Sequence, residues 1–491
     1  MVHFADGSRH IANGIELKES TMVIEQIYTG CLAQGAYYIE SEGFAMIIDP
    51  LRNAKTYVDR AAKNGAKITH ILETHFHADF VSGHVELAEA TDATIVFGPQ
   101  ANPTFPFHQA VHNEEIALGS CTIRVLHTPG HTMESTCYLL LDAERTPYAL
   151  FTGDTLFIGD VGRPDLAQKS ADITQEQLAS TLFHSLRNEI MTLPSQVMIY
   201  PAHGAGSACG KNISSKTWDS LENQLKTNYA LRADMSEQEF VDEVTNGLLP
   251  PPAYFPENVA LNKQTIPALE KVLERNNLAL SPDEFEAHHQ IEEALIVDTR
   301  TKEEFAESHI PGSVFIGIDG NFAPWVGALI KDVKQRLLIV ATKGTESEVL
   351  TRMSRVGFDG AIGYLQGGIE AWKLAGKTCD HINQITPEAF AQLYNAEEES
   401  LLDVRKPGEF QAEHVDGAFS IPLDFVNEKM HTLNDTSHYY AHCLSGYRSA
   451  IFISILKARG MHNITDIKGG WEAMTRTTLP TTDFVCSSKV K

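Results

Sequence analysis

The stretch T-H-F-H-A-D-F at residues 74–80 follows an apolar run and brings two imidazoles and a carboxylate together in the chain. Three later apolar runs also lead into a His or an Asp, in T-P-G-H, T-G-D and P-A-H. Because strand ends meet at one edge of an α/β layer, we expect these side chains to form one site. Imidazoles and carboxylates are preferred ligands of borderline divalent metals. The candidate residues are His75, His77, Asp79, His131, Asp154 and His203.

The sequence around these motifs predicts an α/β domain. Strand-like apolar runs begin near residue 22, and a helix is expected at residues 54–64 before further strands. The proline-rich L-L-P-P-P-A-Y-F-P at 248–256 stiffens the chain and prevents regular pairing, which indicates a domain boundary. We therefore predict a first domain over residues 20–255 and a linker over residues 256–280.

Residues 22–250 and the order of these ligands resemble the metallo-β-lactamase superfamily, which implies an αββα sandwich with metal between its two sheets. The binuclear hydrolases of that superfamily, glyoxalase II among them, carry H-x-H-x-D-H, in which the Asp-His pair supplies the second metal site. Phe80 stands at that last His position here. Because a phenyl ring cannot ligate a metal, the sequence favours a single ion.

One ion held by two His and one carboxylate, with open positions opposite, is typical of non-haem Fe(II) and oxygen chemistry. The chain also resembles the persulfide dioxygenases of this superfamily. That resemblance implies one Fe(II) per chain, held by His75, His131 and Asp154. It leaves His77, Asp79 and His203 to orient the ligands or bound oxygen. Phe80 argues against a second metal without identifying iron.

The C-terminal region contains an internal repeat at an offset of 387 − 282 = 105 residues. Asp298 and Arg300 of the first copy recur as Asp403 and Arg405 of the second, and both pairs are interpreted as structural. Strands alternate with helices in each copy, which predicts two small α/β domains with parallel sheets. The predicted bounds are 281–380 and 385–486.

The second copy contains C-L-S-G-Y-R-S at 443–449, after an apolar run and before a helical one. Such a loop directs backbone N–H groups and a helix N-terminus at Cys443, and Arg448 adds positive charge. This resembles the active loop of rhodaneses, whose Cys carries a sulfane sulfur as a persulfide. Related phosphatases have five residues between Cys and Arg rather than four, so sulfur transfer is favoured over phosphate hydrolysis. The first copy has T-K-G-T-E-S-E instead, and we interpret it as an inactive rhodanese-like domain.

Two further residues are candidates near the metal. Cys209, in the loop H-G-A-G-S-A-C-G-K, follows His203 by six residues. Fusions of persulfide dioxygenase and rhodanese domains resemble this chain over nearly its whole length and carry a Cys in such a loop. The resemblance implies a thiol that receives or relays sulfur; the alternative is an inert loop thiol. Arg163 either binds the acidic group of a thiol carrier or forms a salt bridge that braces its loop.

Composition limits the partners. The net charge of −25 repels nucleic acid and anionic lipid, so neither is expected. No apolar stretch is long enough to span a membrane, and the first residues lack the apolar core of a secretion signal, so we expect a cytoplasmic protein. Seven scattered cysteines do not indicate a disulfide framework. The inactive copy makes self-association plausible.

The sequence therefore favours an iron-dependent persulfide dioxygenase fused to a sulfurtransferase. Such an enzyme oxidises a low-molecular-weight thiol persulfide with O₂ to sulfite, and sulfane sulfur handled by Cys443 gives thiosulfate. Glutathione, coenzyme A and bacillithiol all remain candidate carriers. One alternative is a binuclear zinc thioester hydrolase of glyoxalase II type. The other is a sulfur carrier or scaffold with a vestigial metal site.

Overall fold

Apolar strands of the first 270 residues form two six-stranded sheets in the computed structural model, which describes residues 22–168, 172–396 and 400–485. Neighbouring strands in each sheet are also neighbours in sequence. The first sheet contains β1 Val23–Thr29, β2 Gln34–Ser41, β3 Phe44–Ile48, β4 Lys67–Glu73, β5 Thr94–Phe97 and β6 His108–Gln109. The second contains β7 Glu115–Leu118, β8 Cys121–His127, β9 Thr136–Leu141, β10 Pro147–Gly153, β11 Met198–Pro201 and β12 Asp219–Ser220.

The two sheets pack face to face. Alternate residues of both, such as Ile39 and Leu72 from the first and Val125 and Leu140 from the second, form one core between them. Two other cores lie on the outer faces, where helices cover each sheet. These layers confirm the αββα sandwich. The helices are Ala54–Asn64, His84–Thr91, Gln175–Ser185, Leu221–Thr227, Glu237–Thr245, Phe255–Asn262 and Leu269–Asn276.

The proline-rich segment does not lead into an extended linker. Residues 256–280, expected as a linker, contain most of the helix Phe255–Asn262 and all of Leu269–Asn276, and the division between two compact units follows Glu270. Asn262, the last residue of the first of these helices, contacts the first motif. Its side-chain amide donates to the carbonyl oxygens of His77 and Phe80, both at 2.8 Å, so this helix braces the first motif.

The second unit contains two five-stranded sheets in which every recorded strand pair is parallel. Their strand orders match: β13-β17-β16-β14-β15 and β18-β22-β21-β19-β20. This confirms two rhodanese-like α/β domains. The strands are β13 Ala279–Leu280, β14 Leu295–Asp298, β15 Val314–Phe315, β16 Leu337–Val340, β17 Ala361–Leu365, β18 Asn383–Ile385, β19 Ser400–Asp403, β20 Phe419–Ser420, β21 Tyr439–His442 and β22 Ile464–Ile467.

Helices flank these sheets. Several begin with a side chain that accepts a hydrogen bond from the first turn, as Ser281 accepts from Glu284 N. Residue 486, the predicted end of the last domain, and residue 20, the predicted start of the first, lie outside the described residues. The helices are Pro282–Ile291, Lys302–Glu307, Phe322–Leu329, Glu346–Ser354, Gly368–Leu374, Pro387–Leu393, Pro407–Ala412, Val426–Lys429, Tyr447–Ala458 and Gly470–Met474.

The repeated Asp-x-Arg pairs have the same geometry in both copies. Arg300 donates through Nε and Nη2 to Asp298, and Arg405 does so to Asp403, with shortest contacts of 2.6 Å. Each guanidinium also donates to a backbone carbonyl eight residues downstream. Both carboxylates are fully buried, so the pairs join a strand end to the following segment. Within the described ranges, no helix is long and apolar enough to cross a membrane.

Candidate metal centre and cysteine loop

The first motif lies in a buried loop directly after β4. Asp49, at the end of β3, fixes where this loop starts, because its two carboxylate oxygens accept from Thr74 N at 2.8 Å and from Thr74 Oγ1 at 2.9 Å. His75 and His77 follow with almost no exposed surface. The start of the loop is therefore fixed by contacts with the neighbouring strand β3, independently of any metal ion.

Three of the predicted residues converge on one point. His75 Nε2 and His131 Nε2 lie 3.8 and 3.5 Å from Asp154 Oδ2. Asp154 Oδ2 is buried and accepts no hydrogen bond from the described part of the chain. A buried carboxylate oxygen facing two imidazole nitrogens is costly without a cation. The residues therefore fit a divalent metal, and each offers one ligand atom.

Neighbouring groups set which ring nitrogen of each His faces Asp154. His131 Nδ1 lies 2.9 Å from the carbonyl oxygen of Arg163, which can only accept, so Nδ1 carries the proton and Nε2 is free. His75 Nδ1 lies 3.0 Å from Thr74 Oγ1, whose own hydrogen is donated to Asp49. Both rings are thus oriented with Nε2 toward the candidate metal position.

Asp154 is positioned by His203. His203 Nδ1 donates to Asp154 Oδ1 at 2.7 Å, and His203 Nε2 lies 2.9 Å from Asp79 Oδ2. Burial alone would raise the pKa of Asp154, but the charge and hydrogen bond of His203 outweigh it and lower that pKa. Burial would likewise lower the pKa of His203, and the two carboxylates raise it well above its usual value. The pair keeps Asp154 anionic.

His77 does not face the same point. Its Nε2 lies 3.1 Å from Asp49 Oδ1 and 3.7 Å from Glu73 Oε2, in a separate buried group. Phe80 stacks on the His77 ring at a centroid distance of 4.2 Å and is completely buried. Burial, and then the charge of Asp49, raise the pKa of Glu73 well above its usual value.

A third buried group consists of Asp79, His203 and Cys209, whose potential ligand atoms lie within 4.8 Å of one another. Cys209 is 1% exposed. Burial, followed by the charges of Asp79 and Asp154, raises the pKa of its thiol well above the usual value. Cys209 therefore lies beside His203 and Asp79, in surroundings that favour the neutral thiol when no cation is bound.

Arg163 braces the loop that carries Cys209. Its guanidinium is buried, forms a double contact with Asp165 at 2.6 and 2.7 Å, and donates to the carbonyl oxygens of Ala208 and Leu249. Its backbone N–H also donates to the Cys209 carbonyl at 2.9 Å. These contacts favour the loop-bracing alternative over the binding of a thiol carrier, since the guanidinium is occupied from several sides.

Sequence reasoning missed Asp49, Glu73 and Asn262. Asp49 and Glu73 both stand at the ends of apolar runs, in A-M-I-I-D and T-H-I-L-E, which is the signal that identified the other ligands. Applying that rule evenly would have found them. Asn262 has no such signal, because its contacts to the first motif span more than 180 residues.

The cysteine loop of the second repeat follows β21. Cys443 is 1% exposed, and its Sγ accepts a hydrogen bond from Gly446 N at 3.1 Å. Gly446 has φ +99°, which a residue with a side chain rarely adopts, and the helix Tyr447–Ala458 begins immediately after it. The sulfur therefore lies in a turn of backbone N–H groups before a helix.

Arg448 does not face solvent as a free charge. Its two terminal nitrogens contact the two carboxylate oxygens of Glu409 at 2.6 and 2.9 Å. The equivalent loop of the first repeat holds no Cys, and there the Gly344 N–H donates to the carboxylate of Glu346 at 2.8 Å. In the first copy, a side-chain carboxylate of the loop itself thus accepts the hydrogen bond of a loop N–H group.

Comparison with known proteins identifies the two kinds of domain. Residues 29–203 match the model of the metallo-beta-lactamase superfamily, and residues 281–375 and 386–477 each match that of the rhodanese-like domain. The hydroxyacylglutathione hydrolase of Rhodospirillum rubrum is 32% identical over 189 residues, which are 38% of this chain and 67% of that protein. The hydroxyacylglutathione hydrolase of a Polaromonas species is 29% identical over 188 residues, 37% of this chain and 66% of that protein.

A solved structure covers more of the chain. The crystal structure of a metallo-beta-lactamase from Staphylococcus aureus subsp. aureus COL is 30% identical, with a TM-score of 0.63, and the match covers 71% of this chain and 99% of that one. The matched part of this chain spans 61 to 67% of the length of four hydroxyacylglutathione hydrolases, including the two described above.

Proposed function

The chain belongs to the metallo-β-lactamase superfamily and continues into two rhodanese-like domains, and we propose that it is an iron-dependent persulfide dioxygenase fused to a sulfurtransferase. Its substrates are a low-molecular-weight thiol persulfide and O₂, and the oxidised product is sulfite. A cytoplasmic location belongs to this proposal, since reduced thiols and their persulfides coexist there. The enzyme holds one Fe(II) per chain.

The observation that carries the proposal is the convergence of His75, His131 and Asp154 while His77 faces Asp49. Two imidazoles and one carboxylate form a set of three ligands for one ion. Fe(II) bound in this way supplies open coordination positions for a persulfide sulfur and for O₂. A vestigial site would not require three buried, oriented ligand atoms around one point.

The chain's own residues keep this set in place. Arg163 O holds the proton of His131 Nδ1, and His203 holds Asp154 through Oδ1, so that Oδ2 stays directed at the metal position. Phe80 and Phe157 lie about the His203 ring and are completely buried, which excludes water from that side. Orientation of ligands by such contacts affects metal affinity by about 10- to 100-fold.

Cys443 carries the transfer step. Its thiolate takes the sulfane sulfur of a persulfide, so a new sulfur–sulfur bond forms and the carrier thiolate leaves. Sulfite then attacks the outer sulfur of the Cys443 persulfide with its own electron pair. The Cys443 sulfur–sulfur bond breaks, thiosulfate departs and the Cys443 thiolate is restored. Two persulfide equivalents thus give one thiosulfate.

Metal analysis of protein purified without oxygen tests the proposed iron-dependent dioxygenase site. We expect about one iron per chain, and we expect His131→Ala and Asp154→Ala to lose both iron and persulfide-dependent O₂ uptake. Sulfur transfer from thiosulfate to cyanide should survive in both. His77→Ala is the informative comparison, because it should retain more iron than either. Two zinc ions per chain would overturn the assignment.

Substitution of single cysteines tests the proposed sulfur transfer at Cys443. Cys443→Ser should abolish transfer to cyanide and shift the oxidised product from thiosulfate to sulfite, with O₂ uptake retained. Cys209→Ser is its matched comparison, since it is equally buried but lies beside the metal centre. Under the proposed sulfur relay at Cys209, mass spectrometry after oxygen-free exposure to persulfide finds added sulfur at both cysteines. Modification of Cys443 alone, with normal turnover of Cys209→Ser, would refute that relay.

A second candidate is a binuclear zinc hydrolase that cleaves a thioester of glutathione. The names of the matched hydroxyacylglutathione hydrolases favour it, and so does the group of Asp79, His203 and Cys209, which could hold a second ion. The contacts of both His203 ring nitrogens with carboxylates argue against it, as does Phe80. Two metals in the purified protein, one of them lost in Cys209→Ser, together with hydrolysis of S-lactoylglutathione, would establish this alternative.

A further inference from the structure

The catalytically empty repeat reaches the cysteine loop of the active one. Lys302, the first residue of the helix Lys302–Glu307, donates from Nζ to the carbonyl oxygen of Ser445 at 2.6 Å. Ser445 is the second residue after Cys443. Both repeats lie in the same compact unit of the chain.

The amine also lies against the residue that contacts the sulfur. A Cβ built on Gly446 would be 3.4 Å from Lys302 Nζ, and Gly446 N is the group that donates to Cys443 Sγ. Because glycine has no Cβ, this distance describes the open space beside Gly446 that the ammonium group borders, and the direct contact with the loop is the hydrogen bond to Ser445 O. Lys302 is therefore part of the loop's immediate surroundings although it belongs to the other repeat.

Other contacts fix this arrangement. Tyr447 OH donates to the carbonyl oxygen of Gly317 at 2.7 Å, and Ser454 Oγ accepts from Phe315 N at 2.9 Å in a buried position. Two residues of the first repeat thus bind the helix that follows Cys443. Because these contacts hold the helix at its first residue and further along at Ser454, the position of Lys302 over the loop does not depend on one flexible side chain.

The charged groups around the loop bear on the function of Lys302. Arg448 is paired with Glu409 through two contacts, and Asp466 is buried beneath the loop, where it accepts from Ser449 Oγ at 2.7 Å. Lys302 adds a positive charge beside these groups. In the described part of the chain, the recorded hydrogen-bond and ion-pair partners of Lys302 Nζ are one carbonyl oxygen and, at 3.6 Å, the mostly exposed Glu303. Its charge also interacts with Asp466, but its three hydrogens are not all used by hydrogen bonds.

We propose that Lys302 of the first repeat binds anionic sulfur compounds, thiosulfate and sulfite, at the Cys443 loop of the second. The inference rests on the proposed sulfurtransferase function of Cys443. In the step it assists, the Cys443 thiolate attacks the outer sulfur of thiosulfate, the bond between the two thiosulfate sulfurs breaks, and the electron pair leaves with sulfite. Lys302 stabilises the charge on the sulfonate end in both directions.

Kinetics of transfer from thiosulfate to cyanide in the full chain test this role. Lys302→Met keeps most of the side chain's length and removes its charge; we expect KM for thiosulfate to rise about tenfold while kcat changes less than about twofold. Lys302→Arg should recover most of the affinity. Lys343→Met, an exposed lysine in the empty loop of the same repeat, should behave as wild type.

A second measurement separates binding of anions from support of the loop. We expect the ratio of Cys443 alkylation rates with iodoacetate and with the neutral iodoacetamide to fall about threefold in Lys302→Met. KM for thiosulfate in the wild type should also rise with salt. An equal loss with both reagents, or unchanged KM, would overturn the assignment of Lys302. If instead Cys443→Ser still transfers sulfur, the sulfurtransferase proposal itself fails.

Discussion

Gly162 separates the backbone of Asp154 from the ring of His131, and substituting it should disable the metal centre. A Cβ at this position would lie 2.0 Å from the carbonyl oxygen of Asp154 and 2.9 Å from His131 Nδ1. The optimal separation of non-bonded carbon atoms is about 3.5 to 4 Å, so both distances are too short. The first of these contacts is to backbone, so it cannot be relieved by rotation of a side chain.

The size of the effect follows from these distances. Gly162→Ala must move Asp154, His131 or the loop by about 1 Å or more, and a misplacement of about 1 Å can cost about 100-fold in rate. It also disturbs the hydrogen bond from His131 Nδ1 to Arg163 O, which contributes about 1 kcal/mol. Overpacking adds about 1 to 3 kcal/mol of destabilisation. We expect iron binding to weaken and O₂ uptake to fall at least about 100-fold.

The assay compares iron content, persulfide-dependent O₂ uptake and thiosulfate-to-cyanide transfer in the same preparation. Gly30→Ala is the matched control, because a Cβ there has nothing within 4 Å. It should change none of the three. Transfer at Cys443 should persist in Gly162→Ala as a sign that the second unit is intact. Wild-type iron content and uptake in Gly162→Ala would refute the geometry described for this centre.

Two predictions concern the rhodanese-like domains. Asp403→Asn removes the carboxylate of a fully buried pair, so we expect about 3 to 5 kcal/mol less stability in urea unfolding, whereas Glu370→Gln in an exposed pair should have no measurable effect. Burial lowers the pKa of His309 to about 4, despite Asp380 nearby. Because the unfolded chain binds this proton more readily, stability is lost as pH falls below about 6.5, by about 2 kcal/mol between pH 7 and 5. His309→Gln should remove that dependence, and an unchanged pH profile would contradict it.

The architecture could be predicted because it follows from local patterns. Apolar runs of strand length predicted an α/β domain, and the resemblance to the metallo-β-lactamase superfamily implied its αββα layers. The repeat predicted two small α/β domains, and their sheets have the same strand order. Strand ends also located His75, His131 and Asp154, since a polar residue that ends a buried strand stays at the edge of its sheet. The same rule applies to Asp49, which closes β3 and anchors the first motif.

Contacts between distant segments were not predictable in the same way. The prolines at 248–256 predicted a domain boundary because they prevent regular pairing, but they carry no information on what the following helix contacts. Asn262 satisfies two loop carbonyls that would otherwise be buried without partners, and that need arises only after the loop has folded. Asparagine is also common on the exposed faces of helices, so the residue type alone does not predict these contacts.

The two copies of the repeat differ in what their equivalent loops contact. Gly344 N–H in the first copy is taken by Glu346, whereas Gly446 N–H in the second is directed at Cys443. An N–H that already has a carboxylate partner cannot stabilise a sulfur anion. Lys302 nevertheless contacts Ser445 across 143 residues of sequence. A first-turn lysine of the repeat whose loop holds no cysteine therefore contacts the loop that holds Cys443.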